Sequence, residues 1–454
     1  MFTKQMELLR TRGTTDGGDW DAARIAKAFG AMIAAGEVPP GDKLAPIRTV
    51  ARELQVSTAT VADAWSILRD HGLIATDRRR GTTVRDHPGH GRSRYWRVPM
   101  EPGTLHLDLS TGTPDPELLP KLEPILGLIH TKLDVTSYLE PSILPELEVE
   151  LTKRWPFEPQ ALMIADGAND GLDRVISAVV RLGDVVLVED PTYPLLLDQL
   201  ELIGAEIIGI PMDADGPRLP ELQAAMGRSP KALFLQTGAH NPTGIRLSAE
   251  RAAAIADLAV PGELIVVEDH HPGMPGPRSN VTVGHVAPDQ VVRIHSFSKT
   301  HGPDLRIAAM SGPADLIDTV EHRRQLGPGW TSRLLQRVLL EMLRDPSVDR
   351  AVADAAQVYQ ARRDALVEAL ADRNVAVESG SGFNIWVPVA NEQLATVALA
   401  AKGIGVAPGE PFRVADNRQH IRVTVTKIDH GVAGEISWVA DQLATASKAP
   451  GAGR

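Results

Sequence analysis

At 454 residues the chain is too long for one ordinary domain, and its 43% apolar and 23% charged residues are the balance of a globular protein able to bury sizeable cores. It contains no cysteine, which excludes a disulfide framework and any thiolate metal site, and no apolar run reaches the ~18 residues needed to span a bilayer; a cytoplasmic protein with no membrane partner and no metal is expected. The net charge of −11 divides unevenly: residues 1–97 hold 16 Lys and Arg against 11 Asp and Glu (+5) and the remainder carries −16, the pattern expected if only the N-terminal part meets phosphate.

Residues 1–18 lack the apolar stretch of a secretory signal and read as an N-terminal extension. Residues 19–85 read as three helices and two short strands. Asp19 can cap a first helix running to about Ala35, with Ala22, Ile25, Ala26, Phe29, Met32 and Ile33 on one face. A second helix covers IRTVAREL. After Gln55-Val56, Ser57 can accept from the free amides of a third helix, TATVADAWSILRDHG, which turns Val61, Ala64, Trp65 and Leu68 inward. Thr58, Ala59 and Thr60 stand at its start, where a helix entering the major groove meets base edges. Gly72 ends it, and Leu73–Thr76 and Thr82–Arg85 then flank a tight turn bearing Arg78, Arg79 and Arg80. Three arginines at a hairpin tip do little for folding and suit phosphate or minor-groove contact, so this head reads as a DNA-binding winged helix. A helical cap domain with a basic surface is the alternative.

Residues 86–104, rich in Pro, Gly and Arg, read as a linker. From 105 to 454, strand-length apolar runs alternate with helical patterns, which predicts an α/β domain with a mostly parallel sheet. Such sheets bind ligands beyond the carboxyl ends of their strands. The unusual residues fall there: VVLVED leads into Pro191-Thr192-Tyr193, ALFLQ into HNPTG (240–244), LIVVED ends in Asp269, and VVRIHSF precedes Ser298-Lys299-Thr300. The Lys299 amine can condense with an aldehyde to a Schiff base, releasing water. Asp269 can keep a pyridine nitrogen protonated, making the ring an electron sink. Tyr193 offers a stacking face and Asn241 a donor to a phenolate oxygen. Gly167-Ala168-Asn169 opens a helix whose free amides suit a phosphate, with Ser296, Ser298 and Arg306 adding hydroxyls and a cation.

Two resemblances follow from these motifs. GDKLAPIRTVARELQVSTATVADAWSILRDHGLIATDRRRGTTV resembles the GntR-family winged helix, which implies that Arg48, Thr58, Thr60 and the wing glycine Gly81 touch or shape the DNA contact; Lys43 and Arg78–Arg80 are expected to join that DNA-binding surface. DGANDGL, EDPTYP, HNPTG, VVED and SFSKTHGPDLR, spread between about Asp108 and Ala444, resemble the fold-type I aminotransferases. That family implies pyridoxal 5′-phosphate (PLP) as internal aldimine at Lys299, Asp269 at the ring nitrogen, Tyr193 stacked on the ring and Asn241 at its phenolate oxygen. It also implies Arg422 as the clamp for an amino acid carboxylate, and Tyr138 reaching the phosphate of the other protomer. Where relatives carry a tyrosine two residues after the aspartate, this chain has His271, which can donate to the same oxygen. A winged helix joined to such a body, with a smaller C-terminal subdomain, is similar to the MocR/GabR regulators. The resemblance implies a head-to-tail homodimer reading paired operator sites. Three functions stay open: a regulator sensing an amino compound through the Lys299 aldimine, a regulator sensing PLP itself, and an active aminotransferase with an accessory head.

Overall fold

A computed structural model describes residues 2–13, 20–34, 37–39, 41–70, 74–77, 81–84, 94, 105–129, 140–259, 262–271, 280–378, 380–428 and 434–448. The chain divides into two compact units, one built on residues 1–93 and the other on the bulk of residues 94–454. Apart from Arg94, the expected linker over 86–104 lies outside the described residues.

The head contains helices α1 (Phe2–Gly13), α2 (Ala22–Ala34), α3 (Ile47–Leu54) and α4 (Thr58–Asp70), then strands β1 (Ile74–Asp77) and β2 (Gly81–Val84). Its core is the apolar face read from the periodicity: Ile25, Ala26, Phe29, Met32, Val61, Ala64, Trp65 and Leu68 are all buried, with Phe29 and Trp65 edge to face at 4.8 Å. The cap of α2 is Asp21, not Asp19, since its Oδ1 accepts from the Arg24 amide at 2.7 Å. Ser57 caps α4 as expected, accepting from the Thr60 amide at 3.0 Å. Gln55 makes the turn between α3 and α4 in the left-handed region at φ 57°. β1 and β2 pair antiparallel from Ile74 opposite Val84 to Asp77 opposite Gly81. Gly81 has φ +83°, the reason glycine stands at the end of that turn.

The expected extension over 1–18 is corrected by α1, whose Met6 and Leu9 are buried in the same core. Gln5 is buried too. Its Nε2 donates to Lys43 O at 2.9 Å and its Oε1 accepts from the Ala45 amide at 3.0 Å. The segment so held makes a single antiparallel bridge to the wing, Lys43 opposite Thr83, with the Leu44 amide donating to Thr82 O at 2.9 Å and the Val84 amide to Asp42 O at 2.8 Å. Gln5→Leu strands both partners, so the head should lose about 1–3 kcal/mol in denaturant unfolding. A stability equal to wild type would detach α1 from the wing.

In the body, β3 (Leu107–Asp108) precedes the main sheet, formed by β4 (Ala161–Ala165), β5 (Val185–Asp190), β6 (Glu206–Asp213), β7 (Gly216–Pro217), β8 (Ala232–Leu235), β9 (Ile265–His270), β10 (Val291–Ser296) and β11 (Ala308–Gly312). Their order is β4-β11-β10-β9-β8-β5-β6-β7. The run β5, β8, β9, β10 is parallel, and β11 is antiparallel to both neighbours. Helices cover the parallel strands, which explains their near-continuous buried Val, Leu, Ile and Ala. One charged pair interrupts this core. Arg293 on β10 lies opposite Glu268 on β9, with Nη1 2.6 Å from Oε2 and both side chains buried.

A smaller subdomain carries β12 (Asn384–Pro388), β13 (Ile404–Gly405), β14 (Ala407–Pro408) and β15 (His420–Thr424); β12, β15 and β14 form an antiparallel sheet, and β13 pairs with β3. Ile385, Val387, Ile421 and Val423 pack into its core beside the helices Pro346–Ala371 and Glu435–Ser447. Among the described residues, no helix is long and apolar enough to cross a membrane.

Candidate cofactor and DNA-binding sites

The parallel strands β5, β8, β9 and β10 all deliver their carboxyl ends to one cavity of about 400 Å³. Ala168, Asn169, Tyr193, Asn241, His271, Ser296, Ser298, Lys299, Arg306 and Arg422 line it, drawn from six separate stretches of sequence. Asp269 is buried at the end of β9, two residues before His271. Tyr138 lies outside the described residues.

Lys299 follows β10 by three residues, and its Nζ donates to Gly112 O at 2.7 Å. Burial lowers its pKa from the usual 10.5 to about 8, aided by the Arg422 guanidinium and opposed by Asp269. A useful fraction of neutral amine is therefore present near neutrality. Asp269 Oδ2 lies 3.2 Å from His271 Nε2, while Oδ1 is buried with no hydrogen-bond partner among the described residues. A buried carboxylate oxygen lacking a donor is costly, and the proton of a pyridinium would satisfy it.

At the phosphate end, Gly167 has φ +95° and precedes the helix Ala168–Val179, whose positive dipole end faces this side of the cavity. A Cβ on Gly167 would come within 3.4 Å of the Arg306 guanidinium, so glycine is what lets the arginine approach the loop. Arg306 itself adopts φ 48° and reaches Asp166 O at 3.4 Å. The groups present (an amine, a carboxylate oxygen open to a donor, a helix start with hydroxyls and a guanidinium) fit a phosphorylated pyridine aldehyde.

Arg422 is buried on β15. Its Nη1 donates to Asn241 Oδ1 at 3.1 Å and its Nη2 to Ser110 O, and its guanidinium stacks over Phe412 at 5.0 Å. The strand end EDP has a different task from the ligand contacts around it: the Asp190 carboxylate accepts from the amides of Val414 at 3.1 Å, Ala415 at 2.9 Å and Asp416 at 3.0 Å, tying the small subdomain to β5. Sequence reasoning missed the loop Ser110-Thr111-Gly112-Thr113, whose carbonyls hold Lys299 and Arg422, and missed Gln236 and Asn384, which hold Asn241. A polar STGT stretch carries no signal for such contacts. The positive φ of Gly112, 64°, is the one feature that a lone glycine could have suggested.

In the head, Lys43, Arg48 and Thr58 are exposed and Thr60 half-buried, at the N-terminal ends of α3 and α4 and along the wing. Arg78, Arg79 and Arg80 lie outside the described residues.

Comparison with known proteins agrees with this geometry. Residues 106–433 match the model of the family "Aminotransferase class I and II", and residues 21–84 that of "Bacterial regulatory proteins, gntR family". The chain is 31% identical over 409 residues to the vitamin B6 salvage pathway transcriptional repressor PtsJ of Salmonella typhimurium, covering 87% of this chain and 92% of that one. It is 23% identical to the pyridoxine biosynthesis transcriptional regulator PdxR of Corynebacterium glutamicum, covering 83% and 85%. The kynurenine aminotransferase structure from Pyrococcus horikoshii superposes with a TM-score of 0.70 at 24% identity, over 77% of this chain and 93% of that one, a likeness of fold. The chain belongs to the aminotransferase class I and II family and, with a gntR-family winged helix ahead of that body, to the MocR type of transcriptional regulator.

Proposed function

We propose that this regulator binds operator DNA through its head and PLP at Lys299, and that PLP itself is the signal. Two relatives point to vitamin B6: one is named a repressor of its salvage pathway, the other a regulator of pyridoxine biosynthesis. When bound, PLP would supply an electrophilic aldehyde and an electron-withdrawing ring. The chain's own residues would do the rest. Lys299 offers its amine, Asp269 Oδ1 accepts a hydrogen bond from the protonated ring nitrogen, and His271 holds the other carboxylate oxygen in place. Tyr193 covers a ring face and the Asn241 amide donates to the ring oxygen. The amides at Ala168 and Asn169, with Ser296, Ser298 and Arg306, hold the phosphate. A head-to-tail homodimer, with Tyr138 reaching the other protomer's phosphate and two heads on paired sites, completes the reading.

The observation that carries the sensor reading is the Lys299–Gly112 hydrogen bond. A ligand that engages the amine must displace the Gly112 carbonyl, and loop 110–113 lies only six residues beyond the expected linker. The loop thus has different contacts in the free and liganded states, the condition for a ligand to shift an equilibrium elsewhere. A second reading, an amino acid as co-signal, is favoured by Arg422: a carboxylate there would replace Ser110 O and free the loop at a second point.

Titrating the protein with PLP while following binding to DNA upstream of its own and neighbouring genes tests the proposal. DNA affinity should change with PLP and not with pyridoxine 5′-phosphate, which lacks the aldehyde. A DNA affinity indifferent to PLP, or steady transamination above ~1 s⁻¹, would favour the enzyme instead. Replacing Arg79 and Arg80 by alanine should weaken binding to all sequences alike and reduce the salt slope by about 1 for each phosphate no longer neutralised. An unchanged slope would remove the wing from the interface.

A further inference from the structure

The small sheet turns a polar row toward the cavity. In the β12–β15 pairing Asn384 lies opposite Thr424 and Trp386 opposite Arg422, while the intervening Ile385, Val387, Ile421 and Val423 are fully buried on the other face. A directed chain of hydrogen bonds runs through this row. A guanidinium can only donate, so the Asn241 atom 3.1 Å from Arg422 Nη1 is its oxygen. The Asn384 atom 3.2 Å from that oxygen must then be Nδ2. This turns Asn384 Oδ1 to the Thr424 hydroxyl at 2.9 Å and makes the hydroxyl the donor. Flipping either amide would set donor against donor or acceptor against acceptor.

The Asn241 backbone is fixed as well, its amide donating to Gln236 Oε1 at 3.0 Å and its carbonyl accepting from Gln236 Nε2 at 3.1 Å. With Oδ1 accepting twice, the chemistry that Asn241 keeps for the cavity is its pair of amide protons. We propose that Asn384, braced by Thr424, is a positioning residue that holds Asn241 as a donor, so that the pocket selects pyridine aldehydes bearing an acceptor oxygen beside the aldehyde. The inference rests on the PLP reading of the cavity. Asn384 acts through Asn241, and removing it leaves that side chain, among the described residues, the Arg422 contact alone.

The test uses the full-length protein and two probes, PLP and its analogue lacking the 3-hydroxyl. Two quantities are read: the ratio of the two dissociation constants, and the pH midpoint of the visible band of bound PLP. Asn384→Leu, similar in size and without the donor, should reduce the preference for PLP about tenfold. It should also raise the midpoint by about one pH unit, because a ring oxyanion without its donor holds the neighbouring proton more firmly. Thr424→Val should move both in the same direction, and Thr424→Ser, which keeps the hydroxyl, should restore them. General destabilisation moves neither quantity, and if the Asn384 variant fails to fold, the Thr424 pair decides. Variants that take up PLP with wild-type preference and midpoint would overturn the role of Asn384. Uptake of neither probe by the wild type would instead overturn the cofactor reading on which it stands.

Discussion

Lys299→Ala should abolish the yellow, borohydride-fixable attachment of PLP and, with it, any effect of PLP on DNA binding. Lys299 is the one primary amine among the described residues lining the cavity, so none of these neighbours can substitute for it. The phosphate and ring contacts persist in the variant, which should still bind PLP reversibly, as the free aldehyde and without a covalent link. The wild type should show a matching pH profile. Burial holds the Lys299 pKa at about 8 instead of 10.5. Because the neutral amine is the nucleophile, the rate of uptake should rise roughly tenfold per pH unit below that value and level off above it. Near pH 7 roughly a tenth of the amine is neutral, where an unperturbed lysine would offer less than about a thousandth. Stopped-flow absorbance across this range decides the matter. PLP fixed covalently to Lys299→Ala by borohydride, or a rate still climbing well above the plateau, would refute the assignment.

Arg293→Met should be among the most damaging single changes to the body. The guanidinium neutralises Glu268, and neither side chain is more than 1% exposed. Glu268 keeps two neutral donors, the Thr282 hydroxyl and the Val283 amide, both at 2.7 Å, but no cation among the described residues. Breaking a buried pair from one side costs about 3–5 kcal/mol, since the stranded charge stays desolvated. The variant also releases Thr237, which receives Arg293 Nη1 at 3.3 Å and meets His270 Nδ1 at 3.1 Å just beneath the cofactor-facing strand ends. His270 has its pKa pushed well below 6.5, first by burial and then by Arg293, so it stays neutral in the folded protein. The thermal transition of the body should fall sharply in Arg293→Met and recover in Arg293→Met/Glu268→Leu, where no charge is left buried. A single variant as stable as the wild type would show that water reaches this pair.

The contrast between head and body shows what local sequence can specify. Periodicity placed Ile25, Phe29, Met32, Val61, Trp65 and Leu68 in one core because a helix repeats every 3.6 residues whatever surrounds it. It failed at α1, whose polar, weakly amphipathic stretch becomes helical through burial of Met6 and Leu9 and the clamp of Gln5 on residues 43–45. The choice between Asp19 and Asp21 as cap was equally beyond it, because two aspartates two residues apart offer the same local signal and only the chain direction entering α2 selects one.

In the body, Lys299, Asp269, Asn241 and Arg306 were legible because each terminates a strand or opens a loop in a recognisable motif, and strand ends converge in a parallel sheet by construction. The partners that set their behaviour were not. Gly112 is 187 residues from Lys299, and Ser110 is 312 from Arg422. His271 could be placed beside the ring from its position, but its 3.2 Å contact with Asp269 is seen only in the folded chain. The sequence by itself determined a GntR-like head, an aminotransferase-like body and the reactive groups at the strand ends, since these depend on residue type and short-range spacing. Only the tertiary structure decided which carbonyl holds the amine, which carboxylate oxygen lacks a donor and which way the Asn241 amide faces, because each depends on atoms a few ångströms apart that the chain brings together from opposite ends of the domain.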